Sequence, residues 1–108
     1  MNKLKVFTAS LLFASISAYA SNMSAIMYSA NDPFIKNYAQ ELEKLAKEDH
    51  TDLKVSYSQS DIKVENLNLQ KAFSAKSSAL IVNLVEPNRA LQVANLVYKN
   101  SKTPLIYI

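Results

Sequence analysis

Ala79-Leu80-Ile81-Val82-Asn83-Leu84-Val85, followed by Glu86-Pro87, is the stretch that decides the fold. It is a nearly continuous apolar run without polar alternation, so a strand over Ala79–Val85 has to be covered on both faces, as the strands of parallel sheets are. Working toward the C-terminus, Glu86-Pro87 opens a helix, since proline suits the first helical position and a carboxylate suits the positive end. Leu91, Ala94, Val97 and Tyr98 are expected to form the buried face of that helix. Thr103-Pro104 then leads into Leu105-Ile106-Tyr107-Ile108, a further strand. Working back from the run, Ser60 or Asp61 caps a helix reaching about Lys76, with Leu69, Ala72 and Phe73 inward. Before it, Leu53-Lys54-Val55-Ser56-Tyr57 alternates with period two, and a strand is expected there. Asn31-Asp32-Pro33 starts another helix, with Asp32 as N-cap. From Phe34 to about Glu48, Ile35, Tyr38, Ala39, Leu42, Leu45 and Ala46 give it one apolar face, and Glu43 and Lys47 pair on the other. Ala25–Tyr28 is the first strand.

The order β-α-β-α-β-α-β predicts an α/β fold: a partial open parallel sheet with right-handed crossovers and helices on both faces. Ligands of such sheets bind beyond the carboxyl ends of the strands, where the strand order switches. Residues 29–34, 58–61 and 85–87 therefore share one rim.

Composition closes many chemical classes. The 108 residues contain no Gly, no Cys and one His. Without Gly there is no P-loop, no G-x-G-x-x-G turn and no G-x-S-x-G elbow, each of which needs a backbone only Gly tolerates. Without Cys there is no disulfide, thiolate zinc ligand, thiol nucleophile or lipoprotein anchor. His50 alone cannot build a multi-histidine metal site; in a polar connection it is read as a solvated residue. Arg89 is expected to be exposed, and no carboxylate pair is placed for acid–base catalysis.

Residues 1–20 read as a secretory signal peptide: Lys3 and Lys5 first, an apolar stretch from Val6 to Ile16, then Ala18-Tyr19-Ala20 before Ser21. The apolar stretch is shorter than the roughly 20 residues a bilayer span needs, so no membrane anchor is expected after cleavage. Removing Lys3 and Lys5 leaves ten basic residues against nine acidic ones, a net charge of +1 instead of +3. Lys44 and Lys47 alternate with Glu41, Glu43 and Glu48, so no basic footprint for nucleic acid remains.

Several segments resemble the N-terminal part of the periplasmic sugar-binding proteins of the galactose/glucose type. Ala25-Ile26-Met27-Tyr28 with Asp32-Pro33-Phe34 is similar to that family's first strand and sugar-contacting turn. Ser58-Gln59-Ser60-Asp61 is similar to the polar stretch opening its second helix, and Ala79–Pro87 to its strand and N-L-V-D/E-P turn. Thr103–Ile108 is similar to the strand before the next sugar-contacting loop. The resemblance runs from about Ala25 to Ile108 and implies the N-terminal lobe of a periplasmic-binding-protein type I fold, over residues 21–108. It implies a periplasmic, non-enzymatic receptor for galactose or glucose, serving uptake through an ABC-transporter membrane permease and signalling through a chemoreceptor. Asp32 would accept hydrogen bonds from sugar hydroxyls, and Phe34 would stack on the pyranose ring. On the residues alone, Asp32 reads as a plain N-cap and Phe34 as a core side chain. The departures are that the family's next sugar-contacting Asn, second lobe, hinge and calcium site would lie beyond Ile108, so the lobe is expected to be truncated and no cofactor is expected. Ser77 stands where the family has Gly, and the family's positive-φ positions are expected to be lost with the glycines. The alternative expectation is a non-binding remnant, or a small structural or interaction protein.

Overall fold

The computed structural model describes residues 22–108; the signal-peptide reading of residues 1–20 lies outside them. Four strands and three α-helices alternate: β1 (Asn22–Met27), α1 (Pro33–Glu48), β2 (Asp52–Tyr57), α2 (Ile62–Ser74), β3 (Leu80–Val82), α3 (Ala90–Asn100) and β4 (Leu105–Tyr107). Every strand pairing is parallel, and the order across the sheet is β2-β1-β3-β4. The expected α/β sheet is therefore present.

Strand alternation divides the core in two. Met23, Ala25, Met27 and Ile81 pack with Ile35, Ala39, Leu42 and Ala46 of α1 on one face. Ile26, Leu80 and Val82 pack with Leu69 and Ala72 of α2 and Val93 and Val97 of α3 on the other. One face thus carries a single helix and the other carries two. Removing these apolar side chains from water is the main favourable contribution to the fold.

The ends of the helices follow their local sequence. Asp32 caps α1, accepting from the Phe34 and Ile35 N–H groups, with Pro33 in the first turn. Asp61, not Ser60, caps α2 through the Lys63 N–H. At their C-termini α1 and α2 close with a residue in the left-handed region, His50 (φ 57°) and Lys76 (φ 54°). The next residue's N–H reaches back to Ala46 or Ala72, and the left-handed residue's own N–H to Lys47 or Phe73. This is the six-to-one and five-to-two pattern that usually recruits Gly. Gln59, Ser60 and Lys102 are left-handed too. The positive-φ turns are therefore kept without a single Gly, contrary to the expectation from composition.

Further expectations need correction. The third strand covers only Leu80–Val82 instead of Ala79–Val85. It ends early because the Asn83 side chain turns to other backbone groups and the Val85 N–H bonds to Glu65. The first turn after Glu86 is a 3-10 turn, Pro87–Arg89, before α3 begins. Within α3 the buried residues are Val93 and Val97, whereas Leu91 and Tyr98 are 75% and 67% exposed. The helix carries two apolar stripes, and packing beside α2 turns the Val93–Val97 stripe to the sheet. Arg89, expected in solvent, is buried against Glu65. Phe34 is not a core residue: it is 64% exposed, and Tyr38, expected on the buried face, is exposed beside it.

Candidate functional site

The strand order places β1 and β3 at the centre of the sheet, and the chain leaves them in opposite directions, toward β2 and toward β4. The crevice between their carboxyl ends is the switch point at which parallel sheets bind ligands. Tyr28, just past β1, and Asn83, just past β3, meet there. The Asn83 Oδ1 accepts the Tyr28 N–H at 3.2 Å, and its Nδ2 donates to the Ile108 carbonyl at 3.2 Å. One amide side chain thus ties the ends of three strands together.

Asp32 stands at the start of α1 on this rim. Its Oδ1 accepts from the Phe34 N–H at 2.9 Å and the Ile35 N–H at 3.3 Å. Its Oδ2 accepts from the Tyr28 hydroxyl. A carboxylate offers about four acceptor positions, so the three bonds leave capacity for one more hydroxyl donor. The Tyr28 hydroxyl, its proton committed to Asp32, has oxygen lone pairs left for an incoming donor. The same bond, with the two backbone N–H groups, holds the Asp32 carboxyl below its ordinary range; its partner's hydroxyl is pushed up by that bond.

Phe34 follows Asp32 by two residues in the first turn of α1, with its ring centroid 6.3 Å from that of Tyr38 and the planes 12° apart. An exposed pair of stacked rings on the helix that Asp32 caps can receive the apolar C–H face of a ligand whose hydroxyl edges suit a carboxylate with spare capacity.

The loop after β2 completes the rim. The Ser58 N–H bonds to the Met27 carbonyl at 2.8 Å and the Ser60 N–H to the Tyr28 carbonyl at 2.8 Å. Between them Gln59 and Ser60 are both left-handed. Ser58 is fully buried, and its hydroxyl has no partner among the described residues. Behind the rim, the Glu65 Oε2 accepts the Val85 N–H at 2.8 Å, its Oε1 meets Arg89, and the Arg89 Nη2 donates to Asn66 at 3.1 Å. This buried network fixes the loop after β3 to α2.

The structure therefore places Asp32 and Phe34 on one rim, in the crevice region, as the sequence reading expects. Tyr28, Asn83, Glu65 and Arg89 were not singled out as rim or supporting groups. Tyr28 could have been found from its spacing, four residues before a capping carboxylate. Asn83 could have been found as the one amide interrupting an apolar run. Neither signal says which backbone group the side chain meets. Among the described residues no three His, Cys, Asp or Glu side chains gather to hold a metal ion, and no helix is long and apolar enough to cross a membrane. His50 is exposed, in its left-handed turn far along the chain from these groups.

No family model matches this chain, and no curated protein matches it in sequence.

Asp32→Asn is expected to lower the melting temperature by a few degrees at neutral pH, through a weaker cap and a weaker bond from Tyr28. The sign with pH follows from the lowered carboxyl. Its stabilising contribution is complete above the unfolded value of 3.8 and is lost as pH falls through the lower folded value. The gap between wild type and variant should therefore close as the pH drops below that range, in thermal melts followed by circular dichroism.

Proposed function

We propose that this rim binds a monosaccharide of the galactose or glucose type and that the chain belongs to an exported, non-enzymatic sugar receptor. The observation that carries the reading is Asp32, a carboxylate that still has acceptor capacity and caps the helix after β1, two residues before the exposed Phe34. A pyranose offers the matching surfaces, a C–H face for the ring and hydroxyl donors for the carboxylate. The likeness of Asp32-Pro33-Phe34 and Asn83-Leu84-Val85-Glu86-Pro87 to turns of the periplasmic sugar-binding proteins supports the same class. In that setting the receptor would hand its sugar to an ABC-transporter permease and be read by a chemoreceptor in the periplasm.

The test is calorimetric titration of the purified protein with galactose, glucose and, as control, a polyol lacking the ring. Heat from either hexose, reduced about tenfold in affinity by Phe34→Ala through loss of the stacking surface, supports the reading. Equal or absent heat from all three at millimolar sugar sinks it, and leaves the non-binding remnant or interaction protein as the reading of choice.

A further inference from the structure

We propose that the groove between α2 and α3 binds a small hydroxylated molecule carrying one oxyanion group, a carboxylate or a phosphate. The inference is independent of sugar binding at the rim. The two helices cover one face of the sheet, and α1, which Asp32 caps, covers the other.

The groove follows from the spacing of polar residues on neighbouring helices. Val93 and Val97 turn one stripe of α3 to the sheet. Arg89, Gln92, Leu96 and Lys99 follow one another at steps of three, four and three residues, so they fall along another side of the same helical segment. Asn66 and Gln70, four apart on α2, meet them there. With Asn95 these residues line one groove of about 430 Å³, within the size range of small-molecule sites.

The chemistry of the lining selects the ligand. Arg89 is only 9% exposed, and the fully buried Glu65 holds it in place. A guanidinium has five N–H donors. Its Nη1 serves Glu65 and its Nη2 serves Asn66, which leaves three donors on a buried cation that lines the groove. The same bond fixes the Asn66 amide, because its oxygen accepts from Arg89 and its Nδ2 is left to donate. Among the described residues, Gln70, Gln92 and Asn95 make no side-chain hydrogen bond, and Lys99 makes no ion pair.

No carboxylate lines the groove. Arg89 and Lys99 therefore bring two positive charges, and Glu65, beneath the lining, offsets one of them. Its oxygens already accept from Arg89 and the Val85 N–H. Fixed donors with a surplus positive charge suit an oxyanion. The amides around them both donate and accept, and hydroxyl groups do the same. An apolar ligand would find only the half-buried Leu96.

The side-chain amide signals in correlation NMR spectra of the purified protein read this site directly. The titrants are sodium gluconate and glycerol phosphate, each taken to about 20 mM at constant ionic strength. The signals of Asn66, Gln70, Gln92 and Asn95 are expected to shift together and saturate, with a Kd of about 0.1–5 mM. The tighter of the two titrants identifies the oxyanion. Lys99→Gln should weaken binding about tenfold and Gln92→Ala about fivefold, the worth of a charge-assisted and a neutral hydrogen bond. Both positions are exposed, so the backbone spectrum should keep its dispersion. Lys44→Gln, which removes the same charge from an exposed position on α1, should leave the Kd unchanged. Sorbitol, with the hydroxyls of gluconate and none of its charge, should move none of the four signals. The proposal is overturned if neither anion gives saturating shifts, or if Lys44→Gln weakens binding as much as Lys99→Gln. Shifts from sorbitol equal to those from gluconate, or displacement of gluconate by galactose, would overturn it as well.

Discussion

Glu65→Ala should destabilise the protein by about 3–5 kcal/mol, the usual cost of leaving one member of a buried ion pair without its partner. Glu65 is fully buried, and Arg89 is only 9% exposed. The carboxylate serves both the Arg89 guanidinium and the Val85 N–H. Removing it strands a buried cation, orphans a backbone donor and opens a small cavity. For a domain of this size such a loss is a large share of the total stability, so the midpoint of urea denaturation should fall steeply. The companion variant separates charge from packing. Glu65→Leu combined with Arg89→Met removes both charges and keeps the volume, and should cost no more than about 1 kcal/mol, for the lost bond to Val85. If the single and double variants are equally destabilised, the cost lies in the packing of α2 and not in the ion pair. The variants also report on the rim, because Glu65 and Arg89 hold the loop that follows Asn83.

The second expected result has the opposite sign. His50→Gly and Lys76→Gly should each stabilise the protein by about 0.5–1 kcal/mol. The gain is the steric cost of a Cβ in the left-handed region, less the greater chain entropy that Gly loses on folding. The two sites close different helices, so the gains should add. The double variant should melt roughly 4–16 °C higher in calorimetry, at the usual conversion for small domains. Alanine at the same positions is the control. It keeps the Cβ and the left-handed requirement, so His50→Ala and Lys76→Ala should bring no gain. A rise with alanine equal to that with glycine would mean the side chains, and not the backbone, hold these turns under strain.

Much of the architecture was legible in the chain. An apolar run without alternation at Leu80–Val82, flanked by two amphipathic segments, calls for a strand buried on both faces, and both faces are indeed covered. Asp32-Pro33 carries its own start signal for α1, because cap and first turn are local geometry. The rim positions of Asp32 and Phe34 follow from that same geometry. What escaped the sequence was orientation around α3. Leu91, Ala94 and Tyr98 are spaced as well for burial as Val93 and Val97 are, and periodicity gives both stripes equal standing. The choice belongs to the packing of α3 beside α2, which a local pattern does not contain. The burial of Arg89 escaped for the same reason: its partner Glu65 is 24 residues away.

The sequence by itself determined the alternation of strands and helices, the caps, the parallel sheet and the placement of Asp32 and Phe34 on its carboxyl rim. These rest on interactions within a few residues, or on the average hydrophobicity of a face. Only the tertiary structure decided that Tyr28 would spend its hydroxyl on Asp32, that Asn83 would join the ends of three strands, and that Arg89 would be buried. Each depends on which groups from distant parts of the chain the sheet order brings within hydrogen-bond reach. The absence of Gly shows the division plainly: composition removed the residue that favours left-handed turns, and the tertiary fold imposed those turns on His50, Gln59, Ser60, Lys76 and Lys102 all the same.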